Sequence, residues 1–324
     1  MNNSSYFSHI LVPHDGTEIS DIALDEAIRF AKIFNSKLTL LFVVEEQIVP
    51  PSLILSFIKS GSEIEQSKKN IISLLKTGAE VLLKDRSKKL TAANIPFDLQ
   101  IGIGSPSKEI LRYVEEKNVD IIIMGRKQIS GLGSMMALGS VARRVSELSK
   151  VPTMLVHHNA TKEDKRPYSN ILVPYDGSEF SDRATECAVK IAETCNSTIL
   201  LFNTVDEILL PPTMQTLKFK SEITDEMVSK EVYLKELHQK LKNEMLATLE
   251  TVRAKYKNKQ NIVIDIEVNI GYPPESIIRK IAEGKHKLVI MGTVGLRGIS
   301  KLHALGSVAR KVSENSSCNI LLVH

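Results

Sequence analysis

The chain repeats itself. Ile10-Leu-Val-Pro-His-Asp-Gly16 returns as Ile171-Leu-Val-Pro-Tyr-Asp-Gly177, and the register runs on without a gap through Asn35-Ser36 against Asn196-Ser197, Glu46 against Glu207 and Pro50-Pro51 against Pro211-Pro212. After a middle that differs between the copies, Ile123-Met-Gly125 returns as Ile290-Met-Gly292, and Leu138-Gly-Ser-Val-Ala-Arg-Arg-Val-Ser-Glu147 as Leu305-Gly-Ser-Val-Ala-Arg-Lys-Val-Ser-Glu314. A repeat of this length means that one domain has been duplicated, and 324 residues suit two domains of ordinary size. The polar and charged run from His158 to Pro167 separates them, so the expected domains are 1–158 and 169–324, with 159–168 as linker.

Within each copy, short apolar runs alternate with amphipathic stretches of helical length. This is the pattern of a parallel sheet with helices on its faces. Strands are predicted near 10–13, 37–44, 97–103, 119–124 and 153–157, then near 170–174, 198–205, 262–270, 288–291 and 319–323. The fold class is therefore α/β: two tandem doubly wound domains, each a five-stranded parallel sheet with flanking helices. Helices are expected to begin near Ser20, Ser62, Lys108 and Ser140 and at their counterparts. The Lys/Glu-rich stretches 62–90 and 221–257 read as solvated helices over one face.

Composition excludes several classes. Hydrophobic residues at 43% and charged residues at 25% are in the globular range, and no apolar run is long enough to cross a bilayer. The polar start Met1–Ser8 lacks the features of a secretory signal, which makes a cytoplasmic location the expectation. A net charge of +4 without basic blocks argues against nucleic acid as a partner. Cys187, Cys195 and Cys318 form no metal-ligand pattern and read as small buried apolar residues.

In an open parallel sheet, ligands bind beyond the carboxyl ends of the strands at the topological switch point. Two segments per copy stand there. One is the strand-to-helix turn Pro13-His14-Asp15-Gly16-Thr17, repeated as Pro174-Tyr175-Asp176-Gly177-Ser178, which is either a plain turn or a turn that offers Asp15 and Asp176 to a ligand's base or sugar. The other runs from Met124-Gly125 to Gly139-Ser140-Val141, and from Met291-Gly292 to Gly306-Ser307-Val308. Its glycines let phosphate oxygens approach the main chain, and its closing helix start points backbone N–H groups at an anion. A third turn, Gly104-Ser-Pro-Ser107 and Gly271-Tyr-Pro-Pro274, reads as structural.

At these residues the chain resembles the universal stress protein family over nearly its whole length, as two complete domains. ATP-binding members carry a Val-Pro-x-Asp-Gly-Ser opening and a late Gly-x2-Gly-x9-Gly-Ser loop. The resemblance implies adenine held near Asp15 or Asp176 and the second strand's Val43 or Thr204, with phosphates on the glycine loop. It also implies pairing of like domains through their last strands, within one chain or in a homodimer. Copy two keeps Gly292-x2-Gly295, with ten residues rather than nine before Gly306. Copy one carries Gln128 in place of the second glycine, followed by Gly131 and Gly133, so copy two is the stronger site. Arg126 and Lys127 offer themselves as phosphate partners there but read chiefly as solvated charges.

No P-loop, nicotinamide-binding or nucleophile-elbow motif is present, and His157 and His324 read as sheet-end residues. No positioned base or nucleophile is visible, so at most slow ATP hydrolysis is expected. The reading is an ATP- or adenine-nucleotide-binding stress-response regulator, taking ATP, ADP or AMP with Mg or Mn as the accompanying metal. The alternative is a nucleotide-independent interaction module of the same fold.

Overall fold

The computed structural model describes residues 6–45, 61–126, 138–158, 166–214, 217–259, 262–295 and 304–324. The chain forms two compact units. The first is Met1–Asp164 with Lys301–Leu305 and Asn319–His324; the second is Lys165–Ser300 with Gly306–Cys318.

In the first unit, β1 (His9–Pro13), β2 (Lys37–Val44), β3 (Phe97–Ile103), β4 (Ile121–Gly125) and β5 (Thr153–Val156) stand in the order β5-β4-β1-β2-β3, all parallel. The order reverses between β1 and β4, which makes their carboxyl ends the switch point. The helices are α1 (Glu18–Phe34), α2 (Gly61–Ala92), α3 (Pro106–Glu116) and α4 (Ser140–Leu148).

The second unit repeats the plan. It has β6 (Asn170–Pro174), α5 (Glu179–Cys195), β7 (Thr198–Asp206), the two-residue strands β8 (Phe219–Lys220) and β9 (Met227–Val228), then α6 (Lys230–Ala254) and β10 (Val263–Gly271). It ends with α7 (Pro273–Gly284), β11 (Leu288–Gly292) and α8 (Ser307–Asn315), in sheet order β10-β7-β6-β11. The last strand, β12 (Asn319–Val323), is counted with the first unit, where Ile320, Leu321 and Leu322 register antiparallel to Leu155, Met154 and Thr153.

Local chemistry accounts for the elements. In α1, Ala23, Leu24, Ala27, Phe30, Ala31 and Phe34 recur at helical spacing and are buried, so burial of this stripe holds the helix to the sheet. The repeated Asn-Ser ends α1 and α5 because Asn35 and Asn196 adopt the left-handed conformation, with φ of 52°, that an asparagine tolerates. In α2 the stripe is Ala79, Leu83 and Leu90, while α6 buries only Leu249 and Val252, so both helices are largely solvated.

The structure departs from the sequence expectation at 221–229, where a hairpin replaces the start of the long helix. Ser221 Oγ accepts hydrogen bonds from the amides of Ile223 and Thr224, and Asp225 takes a positive φ of 62°. These local bonds compete with helix. Helix begins only where Ser229 caps it by accepting from the amide of Val232.

Burial also settles the cysteines. Cys187 and Cys318 are buried and Cys195 is half-buried, and desolvation pushes the thiol pKa up to about 12 at Cys187 and about 11 at Cys195. Both stay protonated at neutral pH and behave as small apolar groups.

Candidate functional site

In the second unit Asp176, Gly295 and Gly306 come together beyond β6 and β11. Pro174 closes β6, half-buried. Tyr175 is buried; its amide donates to the Phe202 carbonyl at 2.8 Å and its hydroxyl to Asp182 Oδ1 at 2.8 Å. Burial, reinforced by that carboxylate, pushes its pKa up, so it remains a neutral donor. Asp176 follows, half-buried, with Oδ1 accepting from the Ser178 amide at 3.0 Å. Gly177 makes the turn at a φ of 86°, and Ser178 caps α5 by accepting from the Ser181 amide.

Asp176 Oδ2 faces Gly295. A Cβ on Gly295 would lie 2.6 Å from that oxygen, so glycine is what allows the carboxylate and the loop to lie together. Gly306 joins them: its amide donates to the Thr293 carbonyl at 2.8 Å, and a Cβ there would lie 3.2 Å from the same carbonyl and 3.6 Å from the Gly295 nitrogen. Gly306 is also the N-cap of α8 and has no side chain to cap it, so among the described residues the first N–H groups, at exposed Ser307 and half-buried Val308, have no capping side-chain oxygen.

Gly292 has a different reason. A Cβ there would lie 2.6 Å from the Phe180 Cβ and 2.9 Å from the Phe180 carbonyl carbon. The first glycine of the loop therefore exists for strand-to-helix packing, beside buried Met291. Thr204 lies near the end of β7, two residues beyond Phe202 and on the same face of the sheet. Lys280 of α7 covers the Phe202 ring at 5.7 Å, and α7 packs on α8, so Thr204 shares its face with the α8 start. Among the described residues, Thr204 Oγ1 and Asn203 Oδ1 are buried without a hydrogen-bond partner.

The first unit keeps half of this arrangement. Pro13, buried His14 and exposed Asp15 close β1, and Asp15 Oδ1 accepts from the Thr17 amide at 3.1 Å and the Thr17 hydroxyl at 2.6 Å. Val43 is half-buried near the end of β2 and Met124 is buried in β4. Gly125 repeats the packing of Gly292, since a Cβ there would lie 2.7 Å from the Ile19 carbonyl oxygen. Gly139 is the N-cap of α4, again without a capping side chain, ahead of exposed Ser140 and half-buried Val141. Lys127, Gln128, Gly131 and Gly133 lie outside the described residues. Arg126 corrects the sequence expectation: it is 0% exposed rather than solvated, because it follows β4 into the interior and its amide donates to the Val156 carbonyl.

Two contributors escaped the sequence reading. Asn203 Nδ2 donates to the Tyr175 carbonyl at 2.7 Å and braces the turn behind Asp176, where copy one has Phe42. In copy one, Arg86 reaches back from α2 to grip Asp21 through Nε at 2.6 Å and Nη2 at 3.1 Å. The first could have been suspected from a polar pair, Asn203-Thr204, in an apolar strand; the second had no local signal. A groove of about 350 Å³ lies elsewhere, lined among others by Ile223, Tyr233, Glu236 and Lys240.

The family model for the universal stress protein family matches residues 7–157 and again 167–324. The chain belongs to the universal stress protein family. Universal stress protein YxiE of Bacillus subtilis is 33% identical over 150 residues, 46% of this chain and 99% of that protein. Universal stress protein MJ0531 of Methanocaldococcus jannaschii is 30% identical over 155 residues, 48% of this chain and 85% of that protein. Over the full tandem length, the crystal structure of a universal stress protein from Archaeoglobus fulgidus matches with a TM-score of 0.67 at 21% identity, covering 98% of each chain. The fold, as two universal stress domains in one chain, is that of a tandem family member. Among the described residues no helix is long and apolar enough to cross a membrane.

Proposed function

We propose that this universal stress protein binds an adenine nucleotide, ATP or its di- or monophosphate, chiefly in its second copy, and acts as a nucleotide-responsive regulator in the cytoplasm. The observation that carries this reading is the meeting of Asp176, Gly295 and Gly306 at the switch point, beside a helix start that no side chain among the described residues caps. Asp176 is an acceptor for base or sugar hydroxyls, and the Gly306-Ser307-Val308 backbone offers donors to phosphate. Thr204 and Asn203 supply buried polar atoms without partners, which in a native fold call for an explanation. Among the described residues no three His, Cys, Asp or Glu side chains stand close enough to hold a metal, so Mg or Mn would ride on the phosphates. Pairing of the two copies through their last strands, or of two chains, belongs to the same proposal, as does the domain division near 159–168.

A second reading, a nucleotide-independent interaction module, draws on the apolar side chains that the second copy exposes between β7 and α6. Leu209 is 80% exposed, Ile223 75% and Met227 58%. One experiment separates the two. The native protein is denatured and any released nucleotide identified by mass spectrometry, and ATP, ADP and AMP are titrated calorimetrically into the stripped chain. Co-purification or saturable binding is expected. Absence of both, up to about millimolar ligand, leaves only the interaction module.

A further inference from the structure

We propose that the turn presenting Asp15 in the first copy is a proton-operated latch built on His14, and that the second copy lacks it because Tyr175 stands in its place. The Gly16 amide donates to His14 Nδ1 at 3.1 Å. An amide can only donate, so Nδ1 must carry the lone pair and Nε2 the proton, which points at Asp21 Oδ1 at 3.2 Å. The Ser20 hydroxyl, donating to the Thr17 carbonyl at 2.7 Å, lies 3.2 Å from Nδ1. One neutral tautomer thus ties the turn, α1 and, through the Arg86 grip on Asp21, α2 into a single network.

Protonation of His14 puts a hydrogen on both ring nitrogens. Nδ1–H then faces the Gly16 N–H at the same short distance, donor against donor, and the amide loses its acceptor. Asp15 sits between these two residues. The side chain is 0% exposed, so a second proton is accommodated by opening the turn. The charged groups facing the ring are Asp15 on the turn, Asp21 on α1 and Arg86 on α2. Burial outweighs the two carboxylates and holds the His14 pKa below its ordinary value. The latch is therefore closed at neutral pH and opens on the acid side of the usual histidine range.

The second copy is the built-in control. Tyr175 fills the equivalent place, its hydroxyl donates to Asp182, which stands where Asp21 does, and its carbonyl is held by the amide of Asn203. The tyrosine hydroxyl and the side-chain amide of Asn203 gain no proton as the pH falls through the histidine range.

The test follows the backbone amides of Gly16 and Gly177 by NMR in the full-length chain between about pH 7.5 and about pH 5. The Gly16 resonance and its protection from hydrogen exchange are expected to change together with the His14 ring protons, while Gly177 stays still. In His14→Tyr the change at Gly16 should vanish. If Gly16 stays still while His14 titrates, or moves equally in His14→Tyr, the latch is wrong. The wild-type comparison of the two glycines decides this even if the variant does not fold. What the latch does to ligand rests on the nucleotide reading above: ATP affinity of the first copy should fall about tenfold across that range and that of the second should not. Failure of ATP to bind at any pH would remove the nucleotide reading and leave the Gly16 result to judge the latch.

Discussion

Alanine at Gly292 is expected to destabilise the second unit by about 2–3 kcal/mol, whereas alanine at Gly295 should leave stability near wild type and weaken nucleotide binding by about tenfold or more. The two glycines sit three residues apart in one loop and look alike in sequence, but they are empty of side chain for different reasons. A methyl group on Gly292 runs into Phe180, with contacts at 2.6 Å to its Cβ and 2.9 Å to its backbone. Backbone at the start of α5 cannot step aside without moving the helix, so the strain is paid in folding free energy. A methyl group on Gly295 meets only the tip of the Asp176 side chain, at 2.6 Å, and a carboxylate can rotate away. Rotation removes Asp176 from the site while the fold stands. Thermal melts and ATP titration of the two variants check this. Equal losses of stability, or unchanged affinity in Gly295→Ala, would show that Asp176 and the loop do not form the cradle. Gly306→Val is a poorer probe, because a Cβ there would lie 3.2 Å from the Thr293 carbonyl oxygen and would strain the fold as well as the site.

Stability should fall steeply with acid, starting near pH 6.5 and continuing to about pH 4. Burial, then the charge of Arg126, then that of His158, hold His157 at a pKa of about 4, and burial alone brings His324 to about 4. An unfolded chain takes up these protons near the ordinary value of 6.5. Between the two values the unfolded state binds more protons, so the contribution is full above 6.5 and is lost as pH falls toward 4. A shift of that size corresponds to at most about 3 kcal/mol for each histidine. His9, His14 and His286, all pushed down chiefly by burial, add to the same slope. Urea unfolding at a series of pH values measures it, and His157→Phe should flatten the curve. A stability that is level between about pH 7 and about pH 4.5, or a slope unchanged in the variant, would contradict the assignment.

Much of this was legible in the sequence because it is carried by local spacing. The duplicated Ile-Leu-Val-Pro run is apolar on both faces and short, which suits a buried parallel strand, and the register of the repeat showed where the matched strands and helices recur. The hairpin at 219–228 was not legible, since its Lys/Glu-rich composition suits a helix and only the bonds of Ser221 with the following amides turn the chain back. The burial of Arg126 was not legible either, because nothing local says which way a charged residue after a strand will face.

The sequence by itself determined that there are two copies of one α/β domain, where their strand ends lie, and that the later glycine pair is intact only in the second. Tertiary structure alone decided what each glycine is for, that Asp176 lies against Gly295 rather than pointing to open solvent, and that His14 and Tyr175 plug the same place with different chemistry. Spacing along a chain specifies which residues share an element. Which atoms meet across elements depends on packing at distances of a few ångströms, and residues such as Gly295 and Asp176, more than a hundred positions apart, meet only once the sheet has formed.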